Sequence, residues 1–541
     1  MLKRRKKNIV TLAIGAFCAR ETVLEDSAGS IYHSRQLRAL SPYRCTFGYD
    51  VLVYVGRLLF VEGHTERQII AALGGKNVSL SAREVSFLGK KFIVYLALAH
   101  RQSRQRLRQA MALRGGYILH LDGTCEADSP QLFTGIDGIA HIVLDNIKLP
   151  SEKAELLIPF LRRIKRQYGD PIALVHDMGH GLMSAIGVVF PGVRDFICHF
   201  HFLRDIGKDL FEKEYAHIRN RLKTHKIRSM LRQRIKALSK LIGEDERSVG
   251  YLAAGIDCGR LDPLGLPKLP ALSAYALMHW CLDTSTLDGY GFPFDRPHLS
   301  FYQRLKLLHG VIDQQPIRCK ALSRLWRPLT RIVEEPQLTQ AAAQMEKKVE
   351  IFENLRQALS IALPQGKNAL NDDGREADIK SIEQKVTKFR TQMIPATEAY
   401  QKMTAQLDKY WDKLFADPIS IDTPSGPVTI QPQRTNNLLE RLFRDLKRDS
   451  RKRSGAISLN KTLRTILADT PLVKNLDNPE YLEIILDGCK TLEERFEKID
   501  SRLVTENLKA ELKNQQKISP EMKKIIRHPD LPDRLVALLA A

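Results

Sequence analysis

Between residues 117 and 199, five short apolar runs alternate with helical stretches, in a chain that otherwise reads as mostly helical. The runs are YILHLD (117–122), LFTG (132–135), HIVL (141–144), IALVHD (172–177) and VRDFICH (193–199). Turns containing glycine and aspartate separate the first three, which is the pattern of consecutive strands. A helix capped by Ser151 and closed by Gly169 follows, and a second (GLMSAIGVVF) lies between the last two strands. Three strands, a helix, a strand, a helix and a strand predict an α/β layer, a mixed five-stranded sheet with helices packed on it.

With 541 residues the chain is too long for this layer to be all of it. Residues 1–112 are expected to form a helical region. Residues 49–62 (YDVLVYVGRLLFVE) are apolar with helical spacing, and two capping boxes follow, Thr65 with Gln68 and Ser81 with Glu84. A short helix, a turn and a longer capped helix carrying Arg83, Lys90 and Lys91 resemble a helix-turn-helix module, although the turn is longer than the usual three or four residues. A plain helical bundle fits the same pattern. The sheet region spans 113–210 and a helical insertion 211–428, with loops near 261–270 and 288–297 and a linker (DTPSGPVTIQPQ) at its end. Residues 429–460 hold a helix beginning at Asn436, and 461–541 read as accessory helices.

Lys and Arg outnumber Asp and Glu by 84 to 62, a net charge of +22, so a polyanion is the first partner to consider. Residues 219–240 carry nine basic groups and no acid, Arg228 and Arg232 among them. A one-signed stretch suits a phosphate backbone better than open solvent. The aromatics Tyr290, Phe292, Phe294, Phe301 and Tyr302 offer stacking for unpaired bases, with core packing the commoner fate. The eight cysteines form no C-x-x-C pair, against a disulfide framework and for a reducing compartment. No apolar run reaches the roughly 18–20 residues that span a bilayer. Residues 3–7 (KRRKK) before residues 9–19 (IVTLAIGAFCA) imitate the start of a secretory signal; a basic arm entering a short strand or buried segment is the preferred reading.

Asp122 and Asp177 each close an apolar strand. Neighbouring parallel strands are ~4.8 Å apart, so carboxylates at matching ends can share divalent cations, and Mg²⁺ takes few carboxylates together with water and phosphate oxygens. Aspartate after a strand is also ordinary turn chemistry. Asp145, closing the third strand, falls two strand spacings away if that strand is the sheet's edge, and is expected to be structural. In NNLLERLFRDLKR (436–448) the leucines and Phe443 form one stripe, and Glu440 lies on its shoulder. Arg441, Arg444, Lys447 and Arg448 crowd the same helix. Cys198 and His201 have C-x-x-H spacing, but no second close pair completes a four-ligand zinc site; a supporting or packing role beside the carboxylates is expected.

LDGT around Asp122, VHDMG around Asp177, the pair Cys198/His201 and TNNLLERLFRDLKR around Glu440 resemble the Mutator-like branch of the DDE transposases, which includes many bacterial insertion-sequence transposases. The resemblance covers about 115–210 and 430–455, with the helical segment where this branch carries an insertion. It implies an α/β ribonuclease H-like core, interrupted by a large all-α insertion and flanked by helical N- and C-terminal regions. It implies Asp122, Asp177 and Glu440 as a catalytic, metal-binding triad and Cys198/His201 as an accessory motif. The cofactor would be Mg²⁺ or Mn²⁺, two ions per site, flanking one phosphodiester. The partners would be double-stranded DNA (terminal inverted repeats and target) and further copies of the chain, a homodimer or higher oligomer, with no membrane. The location would be cytoplasmic, at the bacterial nucleoid. Two other readings fit the sequence: a non-catalytic, sequence-specific DNA-binding protein, and a structure-selective ribonuclease H-like nuclease.

Overall fold

The structure, a computed structural model, describes residues 2–242, 246–259, 269–283, 289–314, 320–363, 378–394, 397–455, 458–514 and 520–539. Most of the expected 261–270 loop lies outside them. The chain divides into two units, the first made of Met1–Cys198 with Ala416–Ala541, the second of His199–Phe415.

The first unit opens on strands, not helices. β1 (Leu2–Thr11) pairs antiparallel with β2 (Gly15–Glu25), and β3 (Ile31–Tyr32) joins the outer edge. The apolar run of the N-terminus is thus folded back on itself, with Ile9 opposite Phe17 and Asn8 opposite Cys18, and the basic run pairs with residues 19–23. Ile9 is buried whereas Ile14 is 67% exposed. Five helices follow: α1 (Arg35–Leu40), α2 (Tyr49–Phe60), α3 (Glu66–Gly74), α4 (Ala82–Gln102) and α5 (Arg104–Leu113). Both expected capping boxes are made, at Thr65/Gln68 and Ser81/Glu84.

The sheet is β4 (Ile118–Thr124), β5 (Gln131–Asp137), β6 (Ile142–Leu149), β7 (Ala173–His176) and β8 (Asp195–Ile197), with α6 (Ala154–Tyr168) and α7 (His180–Val189) in the crossovers. Lys153, not Ser151, stands at the start of α6. The strand order is β6-β5-β4-β7-β8. The first three strands pair antiparallel; β4–β7 and β7–β8 are parallel. The chain is therefore mixed α/β with a five-stranded mixed sheet. β4 is central and buried on both faces, so its residues read as a nearly continuous apolar run. Leu119 and Leu121 join the core with Leu157, Phe160 and Ile164 of α6. Ile118, Ala173 and Val175 form a separate cluster with Phe196, Ala416 and Ile419.

The second unit is helical among the described residues: α8 (His199–Thr224), α9 (Ile227–Ile242), α10 (Glu246–Cys258), α11 (Leu269–Leu282), α12 (Pro297–Asp313), α13 (Lys320–Val333), α14 (Pro336–Leu359), α15 (Ile379–Gln392) and α16 (Glu398–Leu414). The one-signed stretch is not one helix. It breaks at Lys226, whose φ of 51° is left-handed. Phe294, Phe301 and Tyr302 are buried, and Phe292 stacks on Tyr215 at 4.4 Å; packing claims these aromatics.

The chain then re-enters the first unit. The segment read as a linker is a hairpin, β9 (Ile419–Thr423) and β10 (Gly426–Ile430), because Ile-Ser-Ile-Asp-Thr and Val-Thr-Ile alternate on either side of a Pro-Ser-Gly turn. α17 (Asn437–Ser454), α18 (Leu459–Thr465), the 3₁₀ turn Thr470–Asp477, α19 (Pro479–Leu486), α20 (Leu492–Glu497), α21 (Ser501–Asn514), α22 (Pro520–Ile526) and α23 (Leu531–Leu539) complete it. The first of the C-terminal helices are not accessory. Phe496 stacks on Tyr95 of α4 at 5.0 Å, and the Tyr481 hydroxyl meets His100 Nδ1 at 3.0 Å. The Asn475 side chain accepts from the Val143 N–H and donates to its carbonyl, at 2.8 and 2.9 Å, covering the exposed edge of β6. Among the described residues no helix is long and apolar enough to cross a membrane.

Candidate active site

In the parallel pair β4–β7, Leu121 lies beside His176. The next residue in each segment is an aspartate, so Asp122 and Asp177 fall side by side. β4 continues to Thr124, which puts Asp122 within the strand rather than at its end, whereas Asp177 directly follows its own. Asp122 is 7% exposed. Its carboxyl is held well above the usual carboxylate range, first by burial and then by the charges of Asp177 and Glu440. Glu440, from the far end of the sequence, is thus among the charges that act on Asp122. Its helix buries Leu439, Leu442, Phe443 and Leu446, leaving Glu440 half-buried on the shoulder of that face. Asp122 Oδ1 accepts from the Gly123 N–H at 2.7 Å and Asp177 Oδ1 from the Gly179 N–H at 3.2 Å.

Asp145 is removed from this group. It sits on the edge strand β6, where Arg163 grips both its oxygens, as expected of a structural residue.

A fourth carboxylate escaped the sequence reading. Glu152, in the loop before α6, accepts a hydrogen bond from Gln131 of β5. A Cβ at Gly179 would lie 3.3 Å from Asp177 Oδ1 and 3.5 Å from Glu152 Oε2; one at Gly123 would lie 2.9 Å from Glu152 Oε1. A Cβ at Gly181 would collide with the Glu152 carbonyl oxygen. The three glycines thus let Glu152 approach Asp122 and Asp177. Burial and the charge of Asp177 raise the Glu152 carboxyl above its usual range. The glycines in LDGT and VHDMGHG were the available signal. Glu152→Gln keeps the shape and removes the charge, and should lower the apparent pKa of Asp122. Carboxyl titration by NMR would read this as a downward shift of Asp122; an unchanged Asp122 would place Glu152 outside the group.

Among the described residues no three His, Cys, Asp or Glu side chains stand together as a ready cage for one metal ion. The donor set is all carboxylate oxygen, the chemistry of a hard divalent cation, and Mg²⁺ is commonly held by one or two carboxylates plus water and phosphate. The residues fit such an ion by chemistry and adjacency, not by a preformed cage.

The C-x-x-H pair separates in its roles. Cys198 is fully buried after β8, and its Sγ accepts from the Asn436 N–H at 3.3 Å. His201, in the first turn of α8, is 7% exposed; burial and the charges of Arg204 and Lys208 push its pKa down to about 3, so it is neutral. His199 meets the Leu414 carbonyl at 2.6 Å, tying α8 to the end of α16.

The basic residues are unequal. Arg83 is exposed and Lys90 half-buried. Lys91 is 4% exposed, its ammonium over the Phe87 ring, and cannot meet a phosphate there. The reason is that α4 is buried on nearly every side from Leu88 onward, as a core helix. Arg232 is exposed, but Arg228 is half-buried with its guanidinium 4.0 Å from the Phe301 ring centroid. Arg441, Arg444, Lys447 and Arg448 are all exposed along α17, with Arg448 paired to Asp445 at 3.0 Å.

Set against known proteins, the chain matches no family model, and no curated sequence matches it.

Proposed function

We propose that this chain is a DNA transposase of the DDE type, which cuts DNA at the ends of a mobile element and joins the freed 3′-hydroxyls to target DNA. The observation that carries the reading is the β4–β7 register, which sets Asp122 beside Asp177 with Glu440 in electrostatic reach. The strand order β6-β5-β4-β7-β8 supports taking the sheet as ribonuclease H-like. The helix carrying Glu440 also presents a row of exposed cations, as a phosphodiester substrate requires.

In this reading Asp122, Asp177 and Glu440 would hold Mg²⁺ or Mn²⁺. The chemistry supplied by the bound ions is activation of a water or 3′-hydroxyl and relief of charge on the leaving oxygen. Asp122 within β4 and Asp177 directly after β7 would fix where the scissile phosphate sits. Glu440 completes the acidic wall from the helix side. Arg441, Arg444 and Lys447 hold the flanking phosphates. The β-sheet gives the site a stiff floor, which matters because a misplacement of about 1 Å costs roughly 100-fold in rate.

The test is a nicking assay with terminal-repeat DNA in Mg²⁺, comparing the unaltered protein with Asp177→Ala. The expected outcome is cleavage by the first and none by the second, with gel-shift affinities alike. A variant that still cuts would overturn the assignment. Binding without cleavage by either protein would favour a non-catalytic DNA-binding role.

A further inference from the structure

Asn436 occupies the N-cap of α17. An asparagine there usually turns its side-chain oxygen onto the free N–H groups of the first turn. Asn436 makes no such bond; its side chain crosses to β4 instead. Its Nδ2 donates to the Leu121 carbonyl at 2.9 Å. Because a carbonyl only accepts, this fixes the amide's orientation, and Oδ1 must accept from His120 Nδ1 at 3.0 Å. The backbone is equally committed. The Asn436 N–H donates to Cys198 Sγ at 3.3 Å, and its carbonyl accepts from the Glu440 N–H at 3.1 Å. Cys198 in turn donates its N–H to the His176 carbonyl at 2.8 Å. Asn436, Cys198 and His120 are all completely buried.

The geometry points to one role for these contacts. Leu121 immediately precedes Asp122, and His176 immediately precedes Asp177. One residue therefore reaches the backbone next to each aspartate, directly in one case and through Cys198 in the other, while sitting one helical turn before Glu440. The helix arrives 316 residues after His120 in the chain, so local sequence cannot set its register against the sheet. We propose that Asn436 is the positioning residue that registers Glu440 against Asp122 and Asp177, with His120 and Cys198 as its two seats. The inference rests on reading the three carboxylates as a cation site, and it gives Cys198 a task that needs no zinc: a small, buried acceptor for a helix-terminal N–H.

The decisive variant is Asn436→Asp in the full chain. It is nearly isosteric and, as a carboxylate at neutral to alkaline pH, can still accept from His120 but has no proton to donate to the Leu121 carbonyl. Mn²⁺ affinity, measured calorimetrically without DNA, should fall about 10–100-fold, the usual cost of removing a supporting hydrogen bond behind a metal ligand. Alkylation of Cys198 by iodoacetamide, resolved by mass spectrometry, should quicken about tenfold or more. Cys198→Ser, which keeps an acceptor, should hold Mn²⁺ within about threefold of the unaltered chain; Cys198→Val should not. Asn436→Asp with unaltered Mn²⁺ affinity and unaltered Cys198 reactivity overturns the proposal. Should Asn436→Asp fail to fold, the Ser and Val variants at Cys198 decide it, equal Mn²⁺ affinities counting against. If Glu440→Gln and Asp122→Asn also bind Mn²⁺ as the unaltered chain does, the carboxylate reading fails separately, and Cys198 alkylation alone then judges the latch.

Discussion

On the proposed transposase reading, Asp122→Asn should abolish Mg²⁺-dependent strand cleavage, by a factor on the order of 10³ or more, and make the metal-free protein more stable. The two effects share one cause. Asp122 is 7% exposed and faces the charges of Asp177 and Glu440, so in its ionised form it is both desolvated and repelled. An amide of the same shape escapes both penalties, and its oxygen can still accept from the Gly123 N–H, as Asp122 Oδ1 does at 2.7 Å. The gain at neutral pH should be about 1–3 kcal/mol, the sign expected of a site that trades stability for activity. Linkage fixes the pH dependence. The folded-state pKa of Asp122 lies above its unfolded value, so the folded protein binds the extra proton and the unaltered chain loses stability as pH rises through that pKa. Near the unfolded carboxylate pKa, about 4, the variant should show no advantage; its lead should open as pH increases. Thermal unfolding from pH 4 to 8 without divalent ions measures this. A variant less stable at every pH would show that Asp122 is a structural hydrogen-bonding residue, and one that still cuts DNA would remove it from the chemistry.

The second large effect concerns binding rather than cleavage. Neutralising Arg441, Arg444, Lys447 and Arg448 together, each to Gln, should weaken DNA binding about 10²–10³-fold near physiological salt. The slope of log affinity against log salt should fall by about three, since each lost phosphate contact removes roughly 0.9 of slope. Arg448 also pairs with Asp445 at 3.0 Å and with Asp449 at 3.5 Å, so it gives up less than a full phosphate contact. Losing those exposed pairs costs the fold little, about 1 kcal/mol or less, so α17 should remain folded by circular dichroism. An unchanged salt slope would mean that DNA does not run along this helix. The same experiment at Lys91 would be uninformative, because that lysine is buried and its loss would be felt as packing.

The sheet and its two aspartates were legible because β-strand composition and turn residues are local signals. The capping boxes at Thr65 and Ser81 were legible for the same reason: cap, glutamate or glutamine and helix all lie within one turn. Elements built from exposed or mixed residues were not. β1 runs through Lys3-Arg4-Arg5-Lys6-Lys7, which carries no apolar alternation, and is a strand because β2 pairs with it. Likewise α19 and α20 read as peripheral until Tyr481 and Phe496 are seen buried against α4.

The candidate site divides along the same line. Sequence alone determined the kinds of residue at the site and the elements that carry them, Asp122 and Asp177 on strands and Glu440 on the flank of an amphipathic helix, because periodicity fixes which way a side chain faces within its own element. Only the tertiary structure decided that these elements meet: that Leu121 lies beside His176, that Glu152 enters through the gaps left by three glycines, and that Asn436 ties the Glu440 helix to the sheet. Those are pairings across as many as 316 residues, settled by packing and hydrogen-bond satisfaction in the folded core rather than by any preference written within a single stretch of chain.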